Sequence, residues 1–276
     1  MSFIKDWDII AIEEWESLSN EYAVLTTYPS DMKDNIDEYG NLLTDTAPLI
    51  CQTRMLHNGM FKHEPAGEIK FPDSHKDKPM LSPFLGAGII FSRGHRIVRV
   101  PYDGYLPMLF DGEEFSLGVR LWTNGYDLYA PCKSFAFHPY TRKKRPPLFW
   151  ENDDKGRSIK SQNRIKKILG QKLKKTDEYY DNNIKKYGLG NVRKLQTYLD
   201  IFGINLKNGN TYNHCSEAFA GILHDRLHAY LRSNNKGINY NNVFINKNIN
   251  NDINDDNNQD NNKKSKNKKK KRKKRR

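Results

Sequence analysis

Residues 110–140 read FDGEEFSLGVRLWTNGYDLYAPCKSFAFHPY. Three carboxylates surround one glycine in Asp111-Gly112-Glu113-Glu114, and the run closes on a single imidazole, His138. Phe115, Val119 and Trp122 recur at helical spacing, so a helix is expected from Glu113 to Asn124, stopped near Gly125. Strands are expected over 126–129 and 134–138, on either side of Pro131. Acidic residues at a helix start are favourable through the helix dipole alone. That account leaves unexplained why His138, Trp122, Tyr126 and Tyr140 cluster just downstream. The competing reading is an active-site edge, with carboxylates as acid/base groups and the imidazole as one metal ligand.

Working outward toward the N-terminus, residues 85–92, LGAGIIFS, read as a strand that opens with Gly86 and Gly88. Strand glycines mark the close approach of a ligand or of another backbone, and spacing does not separate the two. Ile97 to Val100 reads as a short strand, and residues 57–83 as a long irregular connection punctuated by Pro65, Pro72, Pro79 and Pro83. Leu49 to Met55 reads as a strand and 29–47 as a polar loop. At the start, Phe3, Trp7, Ile10, Trp15 and Leu18 predict an amphipathic helix, followed by a buried strand over 22–27. Helix and strand in alternation point to an α/β layer.

Toward the C-terminus, Arg142-Lys143-Lys144-Arg145 is either a phosphate-binding cluster or a solvated turn. Residues 157–232 are helical in pattern, with Val192, Leu195, Leu199 and Phe202 as one stripe and Phe219, Ile222, Leu223, Leu227 and Tyr230 as another. Beyond 233 asparagine dominates and few apolar residues remain, so a disordered tail is expected. The expected organisation is therefore a catalytic domain over 1–156, a helical extension of it over 157–232 and a tail over 233–276.

The formal net charge of +13 belongs to that tail: residues 263–276 hold twelve Lys and Arg and no acid, leaving a body with 34 basic and 33 acidic side chains. The tail suits non-specific polyanion binding or nuclear import, and does not make the body a nucleic-acid-binding domain. No run approaches the roughly 20 apolar residues of a membrane span, and MSFIKDWD lacks the features of a signal peptide. Cys51, Cys132 and Cys215 are odd in number and widely spaced, which predicts free, buried thiols in a reducing, cytoplasmic setting. Two metal-like patterns are set aside. His224 and His228 are i,i+4 with no evident third ligand, and Asp73-Ser74-His75 lies in the proline-rich connection.

The run 83–150 resembles the cytoplasmic hydroxyproline N-acetylglucosaminyltransferases that glycosylate the F-box-binding adaptor of SCF ubiquitin ligases. The resemblance is carried by PFLGAGIIFS, VPYDGYLPMLFDGEE, RLWTNGYDLYAP and FHPYTRKKRPPLFWE, with WD at 7–8, AVLTTYP at 23–29 and YGLGNVRKLQTYLDIFGI at 187–204 in support. It covers most of residues 3–205. Polypeptide N-acetylgalactosaminyltransferases are a more distant likeness. Their Gly-Glu, Arg-x-Trp and Pro-Cys-Ser…His order is matched by Gly112-Glu113, Arg120-Leu121-Trp122 and Pro131-Cys132-Lys133…His138, with Lys133 in place of serine.

These likenesses imply the C-terminal part of a GT-A-like α/β fold with a mixed sheet, UDP-GlcNAc as donor, and a divalent cation, Mn2+ or Mg2+. They imply retention of configuration and a hydroxyl of a protein, the SCF adaptor among them, as acceptor. His138 is implied as a metal ligand. Asp111, Glu113 and Glu114 are implied to contact sugar hydroxyls and to position, or take a proton from, the acceptor. Gly86, Gly88, Trp122 and Tyr140 are implied to line the pocket. In the family an Asp-x-His motif stands just ahead of the segment that here reads FIKDWD, and this chain begins at Met1 right after that place. An acceptor-side half of the enzyme is therefore expected, with a non-catalytic, protein-binding remnant as the alternative.

Overall fold

The computed structural model describes residues 1–140, 147–152 and 156–234. In chain order the elements are β1 (Ser2–Phe3), α1 (Trp7–Ser17), β2 (Ala23–Thr27), β3 (Ser30–Asp31), β4 (Ala47–Met55), β5 (Phe61–Ile69), β6 (Met80–Leu81) and β7 (Ile89–Ser92). Then come α2 (His95–Arg99), α3 (Glu113–Thr123), β8 (Asp127–Ala130), β9 (Ala136–His138), α4 (Gly156–Ile168), α5 (Leu195–Ile201), α6 (Cys215–Phe219) and α7 (Ile222–Asn234). The chain divides into a compact unit, Met1–Tyr230, and a second unit, Leu231–Arg276, of which only the last residues of α7 are described. The expected tail beyond 234 and the basic cluster at 142–145 lie outside the described residues.

The central sheet runs β6-β8-β2-β7, with β2 and β8 parallel and the outer pairs antiparallel. It is a mixed sheet in an α/β fold, as expected. All five residues of β2 are buried, because α1 and β4 both pack against it and a strand buried on both faces reads as a continuous apolar run. On α1, Ala11 and Trp15 point inward, and the Trp15 indole N–H donates to the Ala23 carbonyl at 2.8 Å. Phe3 and Trp7 instead pack on each other with tilted rings, 4.9 Å apart, at the surface. A small sheet, β1-β9-β3, sets Asp31 beside His138 in parallel register.

α3 is buried from Phe115 to Thr123. Phe115 stacks on Phe61 at 4.6 Å, and Trp122 packs edge-on to Tyr198 of α5. An eleven-residue helix with two acidic residues at its start and nine buried residues after them positions the acidic turn against the sheet.

Three expectations change. The connection 57–83 contains β5, a nine-residue strand paired with β4. Its proline pairs with Ile50 where the β4–β5 register shifts, and such irregularities tolerate a residue without an N–H. Ile97 and Val98 belong to α2, not a strand, and are 56% and 77% exposed while Arg96 turns inward over the Tyr102 ring. The helical pattern of 157–232 is interrupted, since 169–194 holds no helix or strand. Val192, Phe219 and Ile222 are exposed, and Leu199, Phe202, Leu223 and Leu227 form the buried part of the two stripes.

The expectation of three free thiols is also overturned. Cys51 of β4 and Cys215 of α6 form a disulfide across 164 residues. Cys132 remains free and buried, donating from its thiol and its amide to the Glu14 carboxylate, each at 3.0 Å. Burial, then the neighbouring Glu14 charge, pushes the Cys132 thiol far above its ordinary range. Spacing along the chain is silent on pairing because the partners meet only when α6 folds back on β4.

Candidate active site

The acidic turn is built on a glycine. Gly112 has φ +95°, and a Cβ there would lie 2.8 Å from the Met60 sulfur. Only glycine combines that left-handed backbone with that contact. The turn releases α3, whose first two residues are Glu113 and Glu114, both half-buried.

Glu114 is held on both oxygens. The Tyr28 hydroxyl donates to Oε2 at 2.5 Å and the Ala87 amide to Oε1 at 2.7 Å. Burial raises its carboxyl above the ordinary value, opposed by those two hydrogen bonds and by the Lys62 charge. Glu113 forms no hydrogen bond or ion pair with the described residues, and burial, then the Glu114 charge, raises its carboxyl as well. Burial also pushes the Tyr28 phenol far up, with the Glu114 charge adding to it. Asp111 lies 3.6 Å from the Lys62 ammonium.

Gly86 and Gly88 meet protein. A Cβ on Gly86 would sit 2.5 Å from Ile50 Cδ1, and one on Gly88 would sit 2.3 Å from Pro29 Cδ. The close approach is to the Ile50 and Pro29 side chains and to the Thr27 backbone at the end of β2. The Thr26 hydroxyl reinforces it, donating to the Gly86 carbonyl and accepting from its amide. That approach delivers the Ala87 amide to Glu114.

Residues 28–31 join this corner to the histidine. Pro29 follows Tyr28, and its carbonyl accepts from the Tyr140 hydroxyl at 3.0 Å. The Tyr140 ring lies 4.7 Å from the His138 ring and is 56% exposed. Burial, then Asp31 and Glu68, raises the Tyr140 phenol. Asp111, Glu113, Glu114, Gly86, Gly88, Tyr140 and His138 are thus linked around the end of β2. Trp122 is placed elsewhere, nine residues along α3 and so about 13 Å away along the axis. It packs under the Arg193 guanidinium at 4.6 Å, in the core against α5. Tyr28, Ala87, Asp31 and Lys62 escaped the sequence reading, and the one signal that pointed to them was the strand stop Tyr28-Pro29.

The donor set for a cation is thin here. His138 has Asp31 as its register neighbour, whereas a hard divalent ion takes about six ligands, mostly oxygen. His138 belongs to no group of three His, Cys, Asp or Glu side chains with ligand atoms within 4.8 Å among the described residues. These residues do not fit a resident cation by themselves.

One such group does form, from His75, His224 and Asp225. It unites two patterns that looked unrelated in sequence. The Leu81 amide donates to His224 Nδ1 at 2.9 Å, so in the neutral ring the proton sits on Nε2. Burial, then the neighbouring His75 and His228, lowers His224 to about 4, which keeps the ring neutral near pH 7. A metal on Nε2 would require a protonated Nδ1 facing the Leu81 N–H. The group is therefore a polar clasp, tying the 72–81 segment to α7, with His75 Nε2 3.7 Å from Asp225.

At the end of β2 in this mixed α/β sheet, a half-buried carboxylate pair and further acids form the candidate site, an arrangement consistent with a glycosyltransferase of GT-A-like fold. The model of the family Glycosyltransferase (GlcNAc) matches residues 1–208, and the chain belongs to that family. No curated protein matches it. The chain is accordingly a transferase and its reaction class is glycosyl transfer. Among the described residues no helix is long and apolar enough to cross a membrane.

Proposed function

We propose that the protein transfers N-acetylglucosamine from UDP-GlcNAc to a hydroxyl on a protein acceptor, with retention of configuration, in the cytoplasm. A hydroxyproline of the SCF adaptor is the acceptor that the sequence resemblance favours. The observation that carries the reading is the carboxylate corner of Glu113 and Glu114, with Asp111 and Lys62 on one side and Tyr140 and His138 on the other. It lies wholly inside the segment matched by the family. Carboxylates suit this chemistry because they accept from sugar hydroxyls and can take a proton from an attacking hydroxyl. Half-burial strengthens each such contact relative to water.

Mn2+ or Mg2+ remains part of the proposal through the donor, since Mg2+ is commonly held by one or two carboxylates together with substrate phosphates. His138 and Asp31 are the side chains that would face it, and no step here depends on it. The thin donor set around His138 favours a second reading, a family member that binds its protein acceptor without turnover.

The test is transfer of labelled N-acetylglucosamine from UDP-GlcNAc to a hydroxyproline peptide by the full chain, with and without manganese. Label on the peptide that is lost in Glu113→Gln and His138→Ala supports the proposal. Absence of both transfer and saturable UDP-GlcNAc binding overturns it. Peptide binding without donor binding supports the second reading.

A further inference from the structure

Glu113 and Glu114 are neighbours in sequence, yet the fold treats them differently. Glu114 has a donor on each oxygen, and both donors come from rigid places. Tyr28 directly follows β2, whose residues are all buried. Ala87 stands between two glycines that have no room for a side chain against the end of β2. Glu113 has no partner among the described residues. Hydrogen bonds to a carboxylate favour its charged form and weaken it as a base. A neighbouring carboxylate without such bonds, beside a fixed negative charge, holds a proton more readily, and a pair separated in this way divides the roles of acid/base chemistry.

We propose that Tyr28 is a positioning residue that fixes Glu114 as a permanent hydrogen-bond acceptor, leaving Glu113 as the carboxylate that takes the proton of the attacking hydroxyl. This rests on the glycosyl-transfer reading above and assigns its chemistry within the site. In the step, the acceptor O–H breaks and its proton passes to the Glu113 carboxylate. The acceptor oxygen forms a bond to the anomeric carbon on the same face that the nucleoside diphosphate leaves, as retention requires, and the bond from that carbon to the nucleoside diphosphate breaks with its electron pair on the phosphate. Glu113 then returns the proton to solvent. Glu114, anchored from two sides, presents its remaining lone pairs to sugar or acceptor hydroxyls without moving.

The experiment compares Tyr28→Phe, Glu113→Gln and Glu114→Gln in the full chain. Glu113→Gln is expected to lower kcat by 10²-fold or more, in the usual range for loss of a general base, and to remove the acid limb of the pH–rate profile. Tyr28→Phe, nearly isosteric, is expected to lower the rate roughly tenfold and move that limb to higher pH, because Glu114 then protonates more readily. A merely structural tyrosine would lower the rate equally at all pH values. Retention of the acid limb in Glu113→Gln with its loss in Glu114→Gln would overturn the assignment.

A second measurement does not need turnover. Glutamate carboxyls labelled with carbon-13 can be titrated by NMR and assigned with the two Gln variants. Glu113 is expected to titrate above Glu114, with the order merging or reversing in Tyr28→Phe. Coincident titrations in the native chain would overturn the proposal. Ordered titrations without transfer to any acceptor would uphold the positioning and refute the transfer reading instead.

Discussion

Asp103→Ala is the substitution that probes most directly how the acidic turn is held in place. The Asp103 carboxylate lies 2.7 Å from Arg164 Nε, with the two side chains 2% and 0% exposed. Its other oxygen accepts from the Tyr105 amide at 3.0 Å. Arg164 also donates to the Tyr180 carbonyl at 2.6 Å and lies over the rings of Tyr105 and Tyr187. One guanidinium thus joins α4, the segment around 180–187 and the 101–107 loop, which leads within a few residues to Asp111. Ser161 adds a bond from α4 to the Pro107 carbonyl.

Removing the carboxylate leaves a buried positive charge without its counter-ion. Breaking such a pair from one side costs about 3–5 kcal/mol, against a total stability of roughly 5–15 kcal/mol for a domain. With a urea slope of about 3 kcal/mol per molar, the midpoint should fall by roughly 1–2 M. Asp103→Leu combined with Arg164→Met should recover most of that loss, since a buried pair replaced on both sides by apolar groups is often neutral. The assay is urea unfolding at pH 7 followed by tyrosine and tryptophan fluorescence. A loss below about 1 kcal/mol, the level of an exposed pair, would refute the packing of the 101–107 loop on α4.

Two further outcomes are expected. The Cys51–Cys215 bond closes a loop of 164 residues, for which the chain-entropy account allows up to about 5 kcal/mol. Reduction, or Cys51→Ser with Cys215→Ser, should lower the denaturation midpoint, and non-reducing peptide mapping should link those two cysteines while Cys132 alkylates only in denaturant. Ready alkylation of all three without reductant would contradict it. His63 is buried, stacked 4.8 Å from Phe84, and makes no hydrogen bond with the described residues. Burial lowers its pKa to about 3, below the unfolded value near 6.5. Its neutral form is accommodated above pH 6.5, and stability is lost as pH falls from there toward 3, by up to about 1.4 kcal/mol per unit. His63→Leu should flatten the acid side of the stability profile, and an unchanged profile would count against this origin.

The elements legible in the sequence were those made by local pattern. α3 followed from Phe115, Val119 and Trp122 and the Gly125 stop; β2 followed from an apolar run ended by Pro29, and β8 from a similar run. Each needs only the residues within it to state which face is apolar. β5 was hidden because its proline pairs at the register shift with β4. α2 was misread because exposed Ile97 and Val98 imitate a buried strand.

The same division applies to the site. The sequence by itself determined the glycosyltransferase family, the acidic turn, and the order of His138 and Tyr140 after it, while the structure showed why that turn needs Gly112. Only the tertiary structure decided that Gly86 and Gly88 lie against Ile50, Pro29 and the Thr27 backbone and that Trp122 belongs to the core. It alone paired Cys51 with Cys215. It also made two adjacent glutamates unequal, because the donors to Glu114 arrive from Tyr28, 86 residues away, and Ala87, 27 residues away. A carboxylate's chemistry depends on which donors and charges surround it, and those neighbours are set by folding rather than by position along the chain.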